Sequence, residues 1–213
     1  MSNIVIKQLG ETPYSYRDVV GLIHAAFQER REEGLLFSCL SITEDEFRAK
    51  VGDDGVVFVA FDLEDGRLLG TSVTHQRKDK KGVLYGYNEL LAVHPDARRC
   101  GIASSMLKTR LDYHRQAGSE YVLSDTASGA TSSIRYHLKN GFKIIGLRSF
   151  PQTNYFSYLF RIQLIKETFG QRLYANDFFC RGVYLLSALR TRFVRRADGR
   201  YTRLAGLFIK RKG

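Results

Sequence analysis

The sequence predicts an α/β chain (α+β mixed), a mixed β-sheet flanked by helices and followed by a basic C-terminal extension. Three observations predict it. Strand-like and helix-like runs interleave over residues 3–164 in the order β, α, α, β, β, β, α, β, α, β, β. An Asp-Gly turn joins two β-rich runs, which demands an antiparallel hairpin, whereas later strand–helix–strand stretches suit parallel crossovers. With 213 residues, 44% hydrophobic and 26% charged, the chain is long and apolar enough for a sizeable core.

Asn3 to Leu9 alternates apolar and polar residues as a half-buried strand does. Ser15 is placed to cap a helix on which Val19, Leu22, Ile23, Ala26 and Phe27 share a face, with Gly34 as its stop. Leu35 to Ile42 has no clear period. Thr43 with Glu46 three residues on is a capping box for a short helix. Gly55–Leu63 and Arg67–His75 form the hairpin around Glu64-Asp65-Gly66, Arg77–Gly82 is a charged loop, and Val83–Val93 returns as a long strand. His94–Arg99 breaks it. Gly101–Gln116 is an amphipathic helix with Ile102, Met106, Leu107 and Leu111 on one face, and Tyr121–Ser124 a short strand. Asp125–Thr131 is a small polar loop, Ser132–Asn140 a helix stopped by Gly141, and Phe142–Leu147 and Tyr155–Leu164 the last two strands.

The net charge of +11 raises the question of polyanion partners. Its distribution lowers that expectation: residues 164–213 hold 12 basic and 3 acidic side chains, so the first 163 residues are nearly neutral. No specific nucleic-acid motif accompanies the charge, and none is predicted as a partner. There is no run of about 18 apolar residues and no basic-then-apolar N-terminus, so neither membrane spanning nor secretion is expected. Cys39, Cys100 and Cys180 are far apart, without CxxC spacing, and the histidines His24, His75, His94 and His114 are scattered. Reduced thiols, a cytoplasmic location and no metal site are the expectation.

The chemistry-bearing stretch is Glu89 to Ala103, ELLAVHPDARRCGIA. A strand ends at Pro95, a turn carries Arg98 and Arg99, and a helix starts at Gly101. Such a turn aims unpaired N–H groups and the positive end of a helix dipole at one spot, where Gly101 and Ala103 let a phosphate come close. An ordinary helix start with solvated arginines has the same outline.

The spacing resembles the GNAT superfamily of N-acetyltransferases, whose coenzyme turn reads Gln/Arg-x-x-Gly-x-Gly/Ala after a strand ending Val-x-Pro. Here it is Leu91-Ala92-Val93-His94-Pro95 followed by Arg98-Arg99-Cys100-Gly101-Ile102-Ala103. A second family element resembles Ser133 to Phe142, the helix and Gly-Phe before the penultimate strand. The resemblance spans residues 3–164 and implies a strongly curved sheet, splayed between Val83–Val93 and Tyr121–Ser124. It also implies acetyl-CoA as co-substrate, with its pantetheine arm paired to backbone around Leu91, Ala92 and Val93. Its pyrophosphate would lie on the N–H groups of Arg99, Cys100, Gly101, Ile102, Ala103 and Ser104, helped by Arg98 and Arg99, with Ser133 nearby.

The reaction so implied is direct attack of a primary amine on the thioester, without metal. Glu89, on the same strand face as Tyr87, is the candidate base. The family's acid, a tyrosine five residues before the Phe of Gly-Phe, falls on His137, with Tyr136 beside it. Neighbours on a helix point about 100° apart, so only one of them faces the thioester. Phe37, Tyr87 and Tyr155 are candidate acceptor-binding residues.

Two domains of unequal size follow: the catalytic unit 1–164 and the extension 165–213, read as packing on the unit or mediating assembly such as a homodimer. Contact with an anionic membrane is a further option for the extension. Within it, Asn176 or Asp177 is placed to cap a helix through Val194, and Tyr201–Ile209 reads as a strand or tail. The leading functional reading is acetylation of a small-molecule amine, an amino sugar or amino-acid derivative. The other is a non-catalytic acyl-CoA sensor whose basic segment binds an anionic partner.

Overall fold

The computed structural model describes residues 3–31, 38–150, 153, 155–165, 180–185, 193–195 and 201–203. Strand β1 (Ile4–Gln8) leads into helix α1 (Tyr16–Arg31). Ser15 Oγ accepts from Asp18 N, and Asp18 Oδ2 accepts in return from Ser15 N at 2.7 Å, so two unpaired donors at the helix start are satisfied. The expected capping box of α2 (Glu44–Val51) is complete in the same way, between Thr43 and Glu46. The stop placed at Gly34 lies outside the described residues.

β2 (Gly55–Asp62) and β3 (Leu68–Lys78) form the hairpin, and β4 (Leu84–Val93) pairs with β3. β3 runs three residues past the expected end: Gln76, Arg77 and Lys78 pair with Gly86, Tyr85 and Leu84, so part of the charged loop is strand. Cross-strand hydrogen bonding outweighs the polar composition there. A 3₁₀ turn (Pro95–Ala97) leads to α3 (Ile102–Gln116) and then β5 (Tyr121–Ala127). β5 is longer than its apolar run, because Asp125, Thr126 and Ala127 pair with Leu159, Tyr158 and Ser157. α4 (Thr131–Lys139), β6 (Lys143–Ser149) and β7 (Phe156–Gln163) complete the unit.

The seven strands lie in the order β1-β2-β3-β4-β5-β7-β6, and every neighbouring pair is antiparallel except β4–β5. Helices cover both faces, so β2 is buried on both. Val57, Val59 and Phe61 pack with Val19, Ile23 and Phe47 of α1 and α2, whereas Phe58 and Ala60 meet Ile102 and Met106 of α3. A third cluster joins Leu107 and Leu111 of α3 to Val122, Ile144 and Phe160. Each fully buried Val, Leu, Ile, Phe or Met side chain contributes about 1.5–3 kcal/mol.

Residues 180–185 are helical, with Val183 against the third cluster and the Tyr184 ring 5.8 Å from that of Tyr158. The helix read through Val194 is corrected at its end. Phe193–Arg195 is a strand, β8, paired antiparallel with β9 (Tyr201–Arg203), as a β-rich Phe-Val run finds a strand partner. No helix among the described residues is long and apolar enough to cross a membrane.

Candidate active site

The site is a gap in the sheet. β4 and β5 pair only through Tyr85–Tyr121, Gly86–Val122, Tyr87–Leu123 and Asn88–Ser124. Beyond that pair β4 continues along β3 and β5 along β7, and the two strands part. A β-bulge drives the parting. Leu90 takes φ = 48°, and Leu90 and Leu91 together oppose Ser72 where the β3–β4 register shifts. A positive φ at a non-glycine costs on the order of 1–3 kcal/mol, which the surrounding ladder holds in place. The resulting cleft has a volume of about 820 Å³.

Side-chain alternation gives the cleft two different faces. Of the candidate coenzyme residues, Leu91, Val93, Ala103 and Ser133 line it on the α3 side, while Ala92 and Arg98 line it toward α1. Arg99, Cys100, Gly101 and Ser104 stand on the turn at its mouth, and Ile102 is core. Arg99 and Gly101 both have positive φ, 66° and 81°, which folds the turn into a cup. Among the described residues the N–H groups of residues 99–104 meet no backbone acceptor, and they lie at the positive end of the α3 dipole. That donor set fits a pyrophosphate. Arg98 is partly spent on structure, since its Nη2 donates to the Ala26 carbonyl at 2.8 Å and ties the turn to α1.

Deeper on this side, Tyr136 and His137 both reach the cleft wall, in unlike ways. Tyr136 Oη donates to the Ala103 carbonyl at 2.7 Å, and burial raises its pKa. His137 Nδ1–H donates to the Ser133 carbonyl at 2.8 Å, leaving Nε2 to accept from Ser124 Oγ at 3.0 Å. Its ring stacks on Phe160 at 4.4 Å, and burial pushes its pKa down to about 4. Below the parting point, His114 joins Thr74 and Asn88 through contacts of 2.6 and 3.2 Å. Its ring occupies the space a side chain at Gly86 would need: a Cβ there would lie 2.4 Å from it.

On the opposite side, facing α2, Glu89 Oε1 lies 2.9 Å from His75 Nε2 and Oε2 lies 3.0 Å from Lys50 Nζ. His75 is 1% exposed, and its Nδ1 lies 3.2 Å from Asp54 Oδ1, itself held by Arg77. Burial alone would raise the Glu89 pKa, but His75 and Lys50 more than offset it and the net shift is downward. Tyr87 donates to Asp125 Oδ1 across the parting strands. Burial raises the pKa of both, and raises that of Tyr155, which lines the same side. Phe37 lies outside the described residues. No group of three or more metal-ligating side chains occurs among the described residues.

The candidate base Glu89 stands out in the sequence; the residues that contact it do not. His75 reads as one scattered histidine until the β3–β4 register sets it opposite Tyr87, diagonal to Glu89. Lys50 and Asp54 come from the α2–β2 corner, which no local pattern links to β4. Arg110 had a visible signal: it continues the i, i+4 stripe of Ile102 and Met106, so a charge stands where the helix face is apolar.

Comparison with known proteins bears on this geometry. The family model described as "Acetyltransferase (GNAT) family" matches residues 20–142. No curated protein sequence matches. Among solved structures, the chain is similar to the NatC complex bound to Gag peptide and CoA, at 17% identity and TM-score 0.62, covering 78% of this chain and 100% of that one. It is similar to the ribosomal-protein-S18-alanine N-acetyltransferase of Escherichia coli, at 14% identity and TM-score 0.60, covering 78% and 97%. It is also similar to a GNAT family acetyltransferase from Elizabethkingia anophelis with acetyl-CoA bound, at 16% identity and TM-score 0.55, covering 77% and 100%.

Proposed function

Because this chain belongs to the acetyltransferase (GNAT) family, which uses acetyl-CoA as co-substrate, we propose that it acetylates a primary amine by direct attack in a ternary complex. The observation that carries the reading is the parting of β4 from β5. It leaves the cup of residues 99–104 on one face and the Glu89 carboxylate on the other, joined by one cleft.

Acetyl-CoA supplies the activated acyl group as a thioester; the residues hold and orient it. The N–H groups of residues 99–104 and the arginine pair take the pyrophosphate, and the backbone of Leu91 to Val93, freed from β5 by the bulge, pairs with the extended arm. Glu89 is ionised at neutral pH, with its Oε2 turned to the half-exposed Lys50. An incoming ammonium replaces Lys50 there and gives its proton to the carboxylate, leaving a nitrogen lone pair for the carbonyl carbon. His75 and Asp54 fix the carboxylate in that orientation.

For the acid we favour Tyr136 over His137. Both protons are engaged in the resting site, that of His137 at the Ser133 carbonyl and that of Tyr136 at the Ala103 carbonyl, but the ring proton is fixed on Nδ1 of an imidazole neutral above about pH 4, whereas a hydroxyl proton rotates about its C–O bond. His137 then positions Ser124 at the point where the strands part. Phe37, Tyr87 and Tyr155 are assigned to the acceptor.

The acceptor proposed first is a small amine such as an amino sugar or amino-acid derivative. A protein N-terminus is the second class, because two fold neighbours are named for a bound peptide and for a ribosomal-protein alanine. The test is thiol release from acetyl-CoA across amino sugars, amino acids, polyamines and short peptides. Release with one class identifies the acceptor. Coenzyme binding with no turnover across the panel would support the sensing module instead.

A further inference from the structure

On the α3 face one charged group has no role in the steps above. Arg110 is 3% exposed, its Nε has no hydrogen-bond partner, and the side chain lines the cleft. Among the described residues no carboxylate forms an ion pair with it. The two acids of the cleft are engaged elsewhere, Glu89 with His75 and Lys50 and Asp125 with Tyr87. Its guanidinium hydrogen-bonds the Tyr136 hydroxyl and lies close to His114 and His137, none of them anionic at neutral pH. A guanidinium stays charged even when buried, and a buried cation without a counter-ion is strongly disfavoured. Its presence marks a place where negative charge arrives during the reaction cycle.

The helix fixes where that place is. Gly101 begins α3 at the pyrophosphate cup, and His114 sits against Gly86 and Asn88 where the strands join. Arg110, one turn before His114, is therefore near the closed end of the cleft, on the face where the arm would enter. The sulfur is the end of that arm.

We propose that Arg110 is a catalytic residue that binds the coenzyme's sulfur as thiolate, the anion released when the acyl group leaves. This rests on the acetyl-CoA reading above. The amine nitrogen forms the new C–N bond and sheds its surplus proton to solvent, the C–S electron pair goes to sulfur, and the sulfur anion is held by the guanidinium until Tyr136 gives it a proton and recovers one from solvent. A tyrosine whose proton is held by burial transfers it late, so sulfur carries charge meanwhile and a fixed cation stabilises it. A different anion, the distal carboxylate of a dicarboxylic acyl chain, would also satisfy the guanidinium; acetyl-CoA as co-substrate of the family favours the sulfur.

The test is ultraviolet titration of the thiol of coenzyme A bound to the full-length chain, in wild type, Arg110→Gln and Arg110→Lys. In wild type the thiolate should form at a proton concentration about tenfold or more above that needed in free solution. Arg110→Gln should abolish the shift, Arg110→Lys should retain part of it, and desulfo-coenzyme A should bind wild type and Arg110→Gln within about twofold. An equal thiol titration in wild type and Arg110→Gln overturns the proposal. So does a preference for succinyl-CoA over acetyl-CoA that Arg110→Gln removes, which would assign the cation to the acyl chain. Failure of wild type to bind coenzyme A overturns the acetyl-CoA reading itself, a distinct result.

Discussion

His75 meets Glu89 at 2.9 Å through Nε2 and meets the surface carboxylate of Asp54 at 3.2 Å through Nδ1, so a fully buried ring connects the cleft to the outside of the sheet. The contact with the buried ring holds Glu89 in one rotamer. Glu89→Gln keeps the shape and removes the base. Its turnover should fall by about 10²–10⁴-fold while coenzyme A binding, measured by calorimetry, stays unchanged.

His75→Gln should act through Glu89. Glu89 has a lowered pKa in the fold, so its ionised form dominates down to pH values below the ordinary carboxylate range. Removing His75 removes a hydrogen bond that favours the ionised carboxylate, and the acidic limb of the kcat/KM profile should move upward in pH. An unmoved limb with merely reduced rate would make His75 a packing residue.

Tyr136 and His137 separate by kinetics. Tyr136→Phe should lower kcat by about 10- to 100-fold with little change in KM for acetyl-CoA, as loss of a proton donor does. His137→Gln retains a hydrogen-bonding side chain for Ser124 and should cost less in kcat; the reverse order would return the acid to His137.

Acid stability is set partly by two buried histidines. His114 and His137 both have folded pKa values near 4 against 6.5 for the free side chain, because burial disfavours the charged ring. The unfolded chain binds more protons between those values, so stability is full above about pH 6.5, falls as pH drops toward 4, and levels off below. Each contributes on the order of 3 kcal/mol to that loss. Thermal melts of His114→Gln and His137→Gln across this window should each show a shallower decline than wild type.

Gly86→Ala places a Cβ 2.4 Å from the His114 ring, and neither can yield without disturbing Thr74 and Asn88. A loss of about 1–3 kcal/mol in chemical denaturation is expected. Coenzyme affinity should fall with it, because the displaced residues sit where the strands part.

Most of the fold was legible in the residues because its signals are local: the Thr43–Glu46 box, the Asp65-Gly66 turn and the apolar stripes each act within a few positions. The ends of β3 and β5 were not, since Arg77 and Asp125 are polar and are strand only because partners lie alongside. The candidate site divides likewise. The turn of Arg98 to Ala103 and Glu89 are written in one stretch of chain, whereas Lys50, Asp54 and His75 reach Glu89 only through sheet register.

The four residue pairs between β4 and β5 are the whole ladder joining two half-sheets, one of β1 to β4 and one of β5 to β7. The molecule is thus sprung like a clothes-peg, gripped at Asn88 and Ser124 and open at its jaws. Anything extended that bonds to both jaws supplies the missing rungs, so binding partner and structural strut become the same object. Amides of Leu91 and Ala127 would then exchange with solvent far more slowly in the occupied protein, while those of Tyr85 and Val122 would scarcely change.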